Sequence, residues 1–305
     1  MCNARISVPP SFLSFNLPKI YSFFILSKFA ILVTIFSVVG SSESRADNEC
    51  DCGWRNLASK SFQIVGGNET GINEFPAMVG IVSFSTKSLV CGGHIISDRY
   101  LLSAAHCVFQ KDPNELAILA GDHNITSGDD TLYSALYNIN AYEIHPDYDS
   151  SIYANDIAIL QTTKSIAFSQ YVAPICLPFK YVDYDFSSQP VIVLGWGQLE
   201  FSGPTSDVLM MASLNVLSND ECSIIVSEAL VPEEMCTFAS GKDSCQLDSG
   251  GPLLWTDVVA NRMHLVGIIS HGLGCASNEP SVNTRVTQFL SWIVERTSDA
   301  TYCYM

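Results

Sequence analysis

From Ile64 to about Arg296 the apolar positions come in short runs rich in β-branched residues, separated by clusters of Gly, Pro, Asn and Asp. Leu116 to Leu119, Val191 to Leu194 and Leu265 to Ile269 are examples, each bounded by turn-forming residues. Such a succession predicts an all-β body, a sandwich or a barrel. A helical period shows once, near the end, where Val286, Phe289, Leu290, Ile293 and Val294 fall at i, i+3, i+4, i+7 and i+8. It predicts a carboxy-terminal helix packed on the β body by one face.

The amino terminus has a different pattern. Ile20 to Gly40 is almost wholly apolar, follows Lys19, and runs into the small polar stretch Ser41-Ser42-Glu43-Ser44, which reads as a secretory signal with a long leader. A membrane anchor is the competing reading, since about 20 apolar residues span a bilayer. Lys28 interrupts the run and leaves Phe29 to Gly40, a core of signal-peptide length, so cleavage between Gly40 and Ala46 is favoured. Residues 1–46 are therefore read as a leader. Residues 47–63, a polar segment with Cys50, Cys52 and Trp54, are too short to be a domain.

At 305 residues and 48% hydrophobic content, the chain has ample material for a buried core. Four of its 15 basic and one of its 31 acidic residues fall within residues 1–46, so the remainder holds 11 against 30, a formal charge of −19. That balance argues against nucleic acid or an anionic membrane as partner and mildly attracts basic substrates; solubility is the plainer account of it. Of eleven cysteines, Cys2 leaves with the leader, and ten remain as a disulfide framework in an exported chain. Cys50 and Cys52 form a lone Cys-x-Cys with no second pair nearby, so zinc is not expected. No structural metal and no cofactor are expected.

Three local motifs carry candidate chemistry. Leu102-Ser103-Ala104-Ala105-His106-Cys107 sets a histidine among small residues beside a cysteine. Asn155-Asp156-Ile157-Ala158-Ile159-Leu160 leads a carboxylate into a run that should be buried, and a buried carboxylate needs a hydrogen-bond donor such as an imidazole N–H. Taken singly, each also fits a structural role. The third, Gly241-Lys242-Asp243-Ser244-Cys245-Gln246-Leu247-Asp248-Ser249-Gly250-Gly251-Pro252, is more specific. A serine hydroxyl becomes a nucleophile when a base takes its proton and a third group orients that base. Flanking glycines leave room for a substrate carbonyl, and nearby backbone N–H groups can hold an oxyanion.

Asp-Ser-Gly-Gly-Pro at 248–252, Ala-Ala-His-Cys at 104–107, Asn-Asp-Ile-Ala at 155–158 and Ile-Val-Gly-Gly at 64–67, in the order His, Asp, Ser, resemble the trypsin and chymotrypsin family of serine proteases over Ile64 to about Arg296. Cys52-Gly53-Trp54 and Gly241 to Gln246 look most like arthropod members, including hymenopteran venom serine proteases. The resemblance implies two packed antiparallel β-barrels, with His106 and Asp156 from the first, Ser249 from the second, and the site between them. It implies His106 as general base and then acid, Asp156 as its orienting carboxylate, and the N–H groups of Leu247 and Ser249 as the oxyanion hole. Residues 64–305 would then be the protease domain. Residues 47–63 would be a propeptide removed at Ile64, whose freed ammonium pairs with Asp248 as a buried switch. Implied disulfides are Cys91 with Cys107, Cys222 with Cys236, Cys245 with Cys275, and Cys52 with Cys176, the last tethering the propeptide. Cys50 and Cys303 remain; they pair with each other, or one of them links to another chain. Val191 and Trp255 stand where a further family disulfide would be.

The implied activity is hydrolysis of protein or peptide substrates after Lys or Arg by a secreted endopeptidase, with Asp243 at the base of the specificity pocket. Partners would be an activating protease and protein inhibitors. Gly272 would keep one pocket wall open. Ser281 stands where basic-specific relatives carry glycine and would narrow the pocket, favouring Lys over Arg. Elastase-like or chymotrypsin-like choice is the alternative that Ser281 suggests and Asp243 opposes. Gln63 replaces the usual basic residue before the cut, Leu247 a usual glycine and His271 a usual tryptophan. A weakly active or non-catalytic binding role in a proteolytic cascade is the competing class. Asn68-Glu69-Thr70 and Asn124-Ile125-Thr126 are acceptor motifs for N-glycosylation. The acidic stretch 122–130 lies where some relatives bind calcium, but its carboxylates lack that spacing, and it reads as a solvated loop.

Overall fold

A computed structural model describes residues 51–57, 63–64, 67–127, 130–197, 205–239, 249–272 and 280–304. The leader, Cys50, the Cys245–Cys275 pairing and residues Asp243, Leu247 and Asp248 lie outside these described residues. Asn48 to Met305 form one compact unit. Among the described residues no helix is long and apolar enough to cross a membrane.

Two short strands, β1 (Gln63–Ile64) and β2 (Gly67–Glu69), form a hairpin. They are followed by β3 (Met78–Ser83), β4 (Ser88–Ile95), β5 (Tyr100–Ser103), β6 (Leu116–Ala120), β7 (Ala135–Ile144) and β8 (Ala158–Thr162). These six close into an antiparallel barrel in the order β3-β4-β5-β8-β7-β6. Val79, Ile81, Ile95, Leu101, Ile118 and Leu160 share one face of these strands by register, and all are buried. Closure pairs every strand on both sides and leaves no edge open to association.

The second barrel uses β9 (Pro190–Gly195), β10 (Met210–Leu217), β11 (Glu234–Phe238), β12 (Pro252–Asp257), β13 (Arg262–Gly272) and β14 (Ser281–Arg285). They run β9-β10-β11-β14-β13-β12, and the β12 to β9 pairing closes the ring. The hairpin of β1 and β2 hangs on the free end of β10 through Met210 and Met211. Of the apolar runs read as strands, the first two match β6 and β9 closely, and the third is the middle of the much longer β13.

The carboxy-terminal helix forms, but its first turn is a tighter 3-10 turn over Val286–Phe289, and the α-helix proper is Leu290–Arg296. Such tightening is common at helix starts. Val286, Phe289, Leu290, Trp292 and Ile293 are buried, whereas Val294 is half-buried. A short helix absent from the sequence reading, Asn219–Val226, is capped by Ser218, whose Oγ accepts from Glu221 N at 3.2 Å. The Ser-x-x-Glu spacing at 218–221 was the available signal.

Cys91–Cys107, Cys222–Cys236 and Cys52–Cys176 are bridged. Cys303 is also disulfide-bonded, to a partner outside the described residues. The Cys52–Cys176 bridge docks residues 51–57 on the body. Gly53 N donates to Pro174 O at 2.9 Å, Met263 N donates to Gly53 O at 2.7 Å, and Trp54 Nε1 donates to Gln170 O at 3.0 Å. Arg55 pairs with Glu74. Gly53 has a φ of +68°, and a Cβ there would run into the Met263 carbonyl.

One step beyond the Leu254–Ile192 pairing of β12 with β9 lie Trp255 and Val191. Trp255 packs edge-on to Tyr181 at 4.8 Å and to Phe186 at 5.4 Å, and Val191 is buried in the same cluster. Aromatic packing thus holds the two strands where a disulfide would otherwise cross them.

The stretch 122–130 is the solvated loop expected only in part: Thr126 and Ser127 are exposed, residues 128–129 lie outside the described residues, and the start of the stretch is buried. Asp122 and His123 are buried, and His123 O accepts the indole N–H of Trp196 at 2.8 Å. Burial, reinforced by the neighbouring Asp130, pushes the Asp122 carboxyl up to about 6. The cause is tertiary: the loop folds back over Trp196 at the junction of the barrels.

His94, in β4, is 1% exposed, and neither ring nitrogen has a hydrogen-bond partner. Burial lowers its pKa to about 3. The unfolded chain binds a proton near pH 6.5 that the folded chain refuses, so stability falls as pH drops from about 6.5 towards 3. Between pH 7 and pH 4 this group alone is expected to cost on the order of 3 kcal/mol. Urea unfolding of the wild type and of His94→Leu at the two pH values measures it: the wild type should lose more stability by about that amount, and parallel losses would refute the assignment.

Candidate active site

The first barrel delivers a histidine and a carboxylate to one point by register. β5 pairs with β8 so that Ser103 faces Ala158. His106, three residues after Ser103, and Asp156, two before Ala158, therefore leave the barrel at the same end of one antiparallel pair. His106 sits in the single helical turn α1 (Ala105–Val108), and the Cys91–Cys107 bridge ties that turn to β4. Asn155, before the aspartate, has a φ of 52°, and its side-chain amide donates to Asp147 O at 2.9 Å. Asn is among the few residues that hold this backbone without large strain.

Asp156 has a fully buried side chain, and the His106 ring is 22% exposed. His106 N donates to Asp156 Oδ1 at 2.9 Å, and His106 Nδ1 lies 2.7 Å from Oδ2. A third donor comes from the second barrel, where Ser270 Oγ donates to Oδ2 at 2.5 Å. Thr284 Oγ1 donates to the Asp156 carbonyl at 2.8 Å. The carboxylate receives three donors and holds the imidazole with its Nδ1–H directed at Oδ2, leaving Nε2 as an acceptor.

Ser249 precedes β12 and is half-buried. Its carbonyl accepts from Gly92 N at 2.8 Å, while Gly250 N donates to Ile269 O at 2.8 Å. Gly250 has a φ of +75°, and a Cβ there would strike Ser103 Oγ and the Gly92 carbonyl and press on Cys107 Sγ. Only glycine lets the serine loop come this close to the histidine's own turn. The His106 Nε2 atom is 3.7 Å from Cys107 Sγ, so the same disulfide borders both the imidazole and the serine loop.

Gly272 ends β13 opposite Ser281, which is buried in β14 and also faces Thr237 of β11. These two pocket candidates are thus brought together; Asp243 and the oxyanion candidate Leu247 lie outside the described residues. Ile64 pairs by its backbone with Gly67 in the hairpin, and its candidate partner Asp248 is likewise outside. Asn68 lies in β2, paired with Gln63 and Met211. Asn124 Oδ1 accepts from Thr126 N at 3.0 Å and from Thr126 Oγ1 at 2.7 Å.

Two site residues escaped the sequence reading. Ser270 is the immediate neighbour of His271, itself one of the substituted family positions, and a buried carboxylate's need for more than one donor was the available clue. Tyr153 had no local signal. Its ring meets His106 edge-on at 5.6 Å and stacks on His271 at 5.2 Å.

The sequence matches the trypsin family over residues 64–293. It is 43% identical to venom serine protease 34 of Apis mellifera, over 83% of this chain and 62% of that protein. It is 38% identical to a venom serine protease of Polistes dominula, over 90% of this chain and 97% of that protein. Identity to the proclotting enzyme of Tachypleus tridentatus is 34%, over 80% of this chain and 68% of that protein. The chain thus spans less than two thirds of the first relative and nearly all of the second. With the two barrels, these matches lead to one conclusion: the chain belongs to the trypsin family of serine endopeptidases.

Proposed function

We propose that this chain is exported, made as a zymogen cut between Gln63 and Ile64, and cleaves protein substrates after Lys or Arg through an acyl-enzyme on Ser249. The observation that carries the reading is the His106–Asp156 pair, with Nδ1 engaged at 2.7 Å and Nε2 left as acceptor against the Cys91–Cys107 disulfide that the serine loop also approaches. In this mechanism Nε2 takes the proton of Ser249 Oγ as the oxygen attacks the scissile carbonyl. It then returns that proton to the leaving amine. Asp156 stays charged and stabilises the intervening imidazolium. The N–H groups of Leu247 and Ser249 receive the oxyanion.

Asp243 supplies the charge that selects a basic side chain, and buried Ser281 narrows the pocket towards Lys. The new ammonium of Ile64 pairs with Asp248 on activation. Gln63 excludes self-activation by a basic-specific enzyme, so another protease makes the cut. In the uncut chain Gln63 and Ile64 pair with Asn68 and Gly67, and that hairpin must open for cleavage. Export is supported by the apolar leader and by the venom and clotting roles in the relatives' names. Asn124 is the better glycosylation candidate, because its amide is already hydrogen-bonded to the Thr126 hydroxyl of its own motif, whereas Asn68 sits in a paired strand.

Expressed, cut after Gln63 and profiled on a peptide library, the protein should cleave after Lys and Arg, and Ser249→Ala should lower kcat by roughly 10⁵ to 10⁶. Activity that survives that substitution refutes the mechanism, and no activity in the cut wild type favours a binding role for the fold. After the same cut, the segment ending at Gln63 should stay with the body on a non-reducing gel and leave it on reduction of Cys52–Cys176. Release without reductant would refute the tether.

A further inference from the structure

The strand that supplies Ser270 brings a second imidazole to the site. In an even pleat Ser270 and His271 would face opposite sides of β13. The register of β13 against β14 shifts between Ile268 and His271, and such irregularities re-aim side chains. Ser270 Oγ lies 2.5 Å from Asp156 Oδ2 and 3.1 Å from His271 Nδ1.

The hydroxyl has a single proton, and an ionised carboxylate accepts only. That proton therefore goes to Asp156, and Ser270 Oγ can only accept from His271. His271 must then carry its proton on Nδ1 and leave Nε2 bare. The result is a continuous chain of hydrogen bonds, His271 to Ser270 to Asp156, with His106 donating to the same carboxylate from the other side. Tyr153 bridges the two imidazoles, stacked on one at 22° and edge-on to the other at 86°.

We propose that His271 is a positioning residue for the His106–Asp156 pair: it orients the Ser270 hydroxyl onto Asp156 and, once protonated, opposes the positive charge that develops on His106. The proposal rests on the endopeptidase reading above for its kinetic consequence, but not for its geometry. A second proton enters at Nε2, so the Nδ1 bond to Ser270 is kept and the effect of charging is electrostatic. The charged and titratable groups facing His271 are Asp156, Glu234 and Glu228, which favour its cation, and His106, which opposes it; Tyr153 covers one ring face. Burial is the largest influence and holds the imidazole below its ordinary value. His271 is therefore neutral at pH 7 and charges as the medium becomes acidic.

The test is the acid limb of kcat/KM for the full-length, cleaved protein on a Lys or Arg peptide. A single titrating base gives about a tenfold loss per pH unit, and two coupled groups give a steeper limb that approaches about a hundredfold. The wild type should show the steeper limb. His271→Phe, which keeps the ring on Tyr153 but has no ring nitrogen, should return to the single-proton slope. A single-proton limb in the wild type, or a steep limb that persists in His271→Phe, overturns the proposal. Nitrogen-15 NMR of histidine-labelled Ser249→Ala protein needs no turnover. It should find His271 in the Nδ1–H tautomer and find that preference lost when Ser270→Ala is added. An Nε2–H tautomer overturns the hydrogen-bond chain whether or not the wild type cleaves anything. The Nδ1–H tautomer in a protein without peptidase activity supports the chain and counts against the endopeptidase reading alone.

Discussion

The Asp156 carboxylate is wholly buried where the two barrels meet, and the site is arranged around the need to satisfy it. Left without donors in such surroundings, a carboxylate would cost several kcal/mol. Three donors offset that cost, and they come from different parts of the chain: the backbone and ring of His106 from the first barrel and the hydroxyl of Ser270 from the second. A fourth contact, from Thr284 Oγ1, fixes the backbone of the same residue. The charge can therefore be held only when both barrels are formed and docked, so the orientation of the imidazole depends on the whole fold.

The other close approaches serve that junction. Gly250 passes against Ser103 and Gly92 with no room for a side chain, and the Cys91–Cys107 bridge fixes the turn that carries His106. Backbone in the left-handed region recurs in the loop before Asp156, at Tyr153 and Asn155. For Asn155 the conformation is tolerable. For Tyr153 it is uncommon in a bulky residue and is held by the aromatic contacts of its ring with His106 and His271. The loop and the imidazoles thereby constrain one another.

Away from the site, the chain keeps its connections by unlike means that serve one purpose. Trp255 and its aromatic neighbours hold β12 against β9 by packed area, while Cys52–Cys176 holds the amino-terminal segment covalently across a sequence separation of 124. The backbone bonds of Gly53 to Pro174 and Met263 add a docked, ordered segment to that bridge. A cut at Ile64 would leave these contacts untouched.

The short β-branched runs and their turn residues determined an all-β body, because alternation and turn chemistry are local properties of the chain. The motifs around His106, Asp156 and Ser249 likewise marked the chemistry, since each carries its reactive residue among small or apolar neighbours recognisable in a few positions. Tertiary structure alone decided what lies several strands apart. The donor role of Ser270 depends on a barrel-to-barrel contact and the placing of His271 on a register shift within β13, while the burial of Asp122 depends on a loop folding over Trp196. The ring of Tyr153 sits between two imidazoles because β5, β8 and β13 converge there. Apart from the general need of a buried carboxylate for donors, none of these has a signature in neighbouring residues, because each is set by which strands meet and in what register.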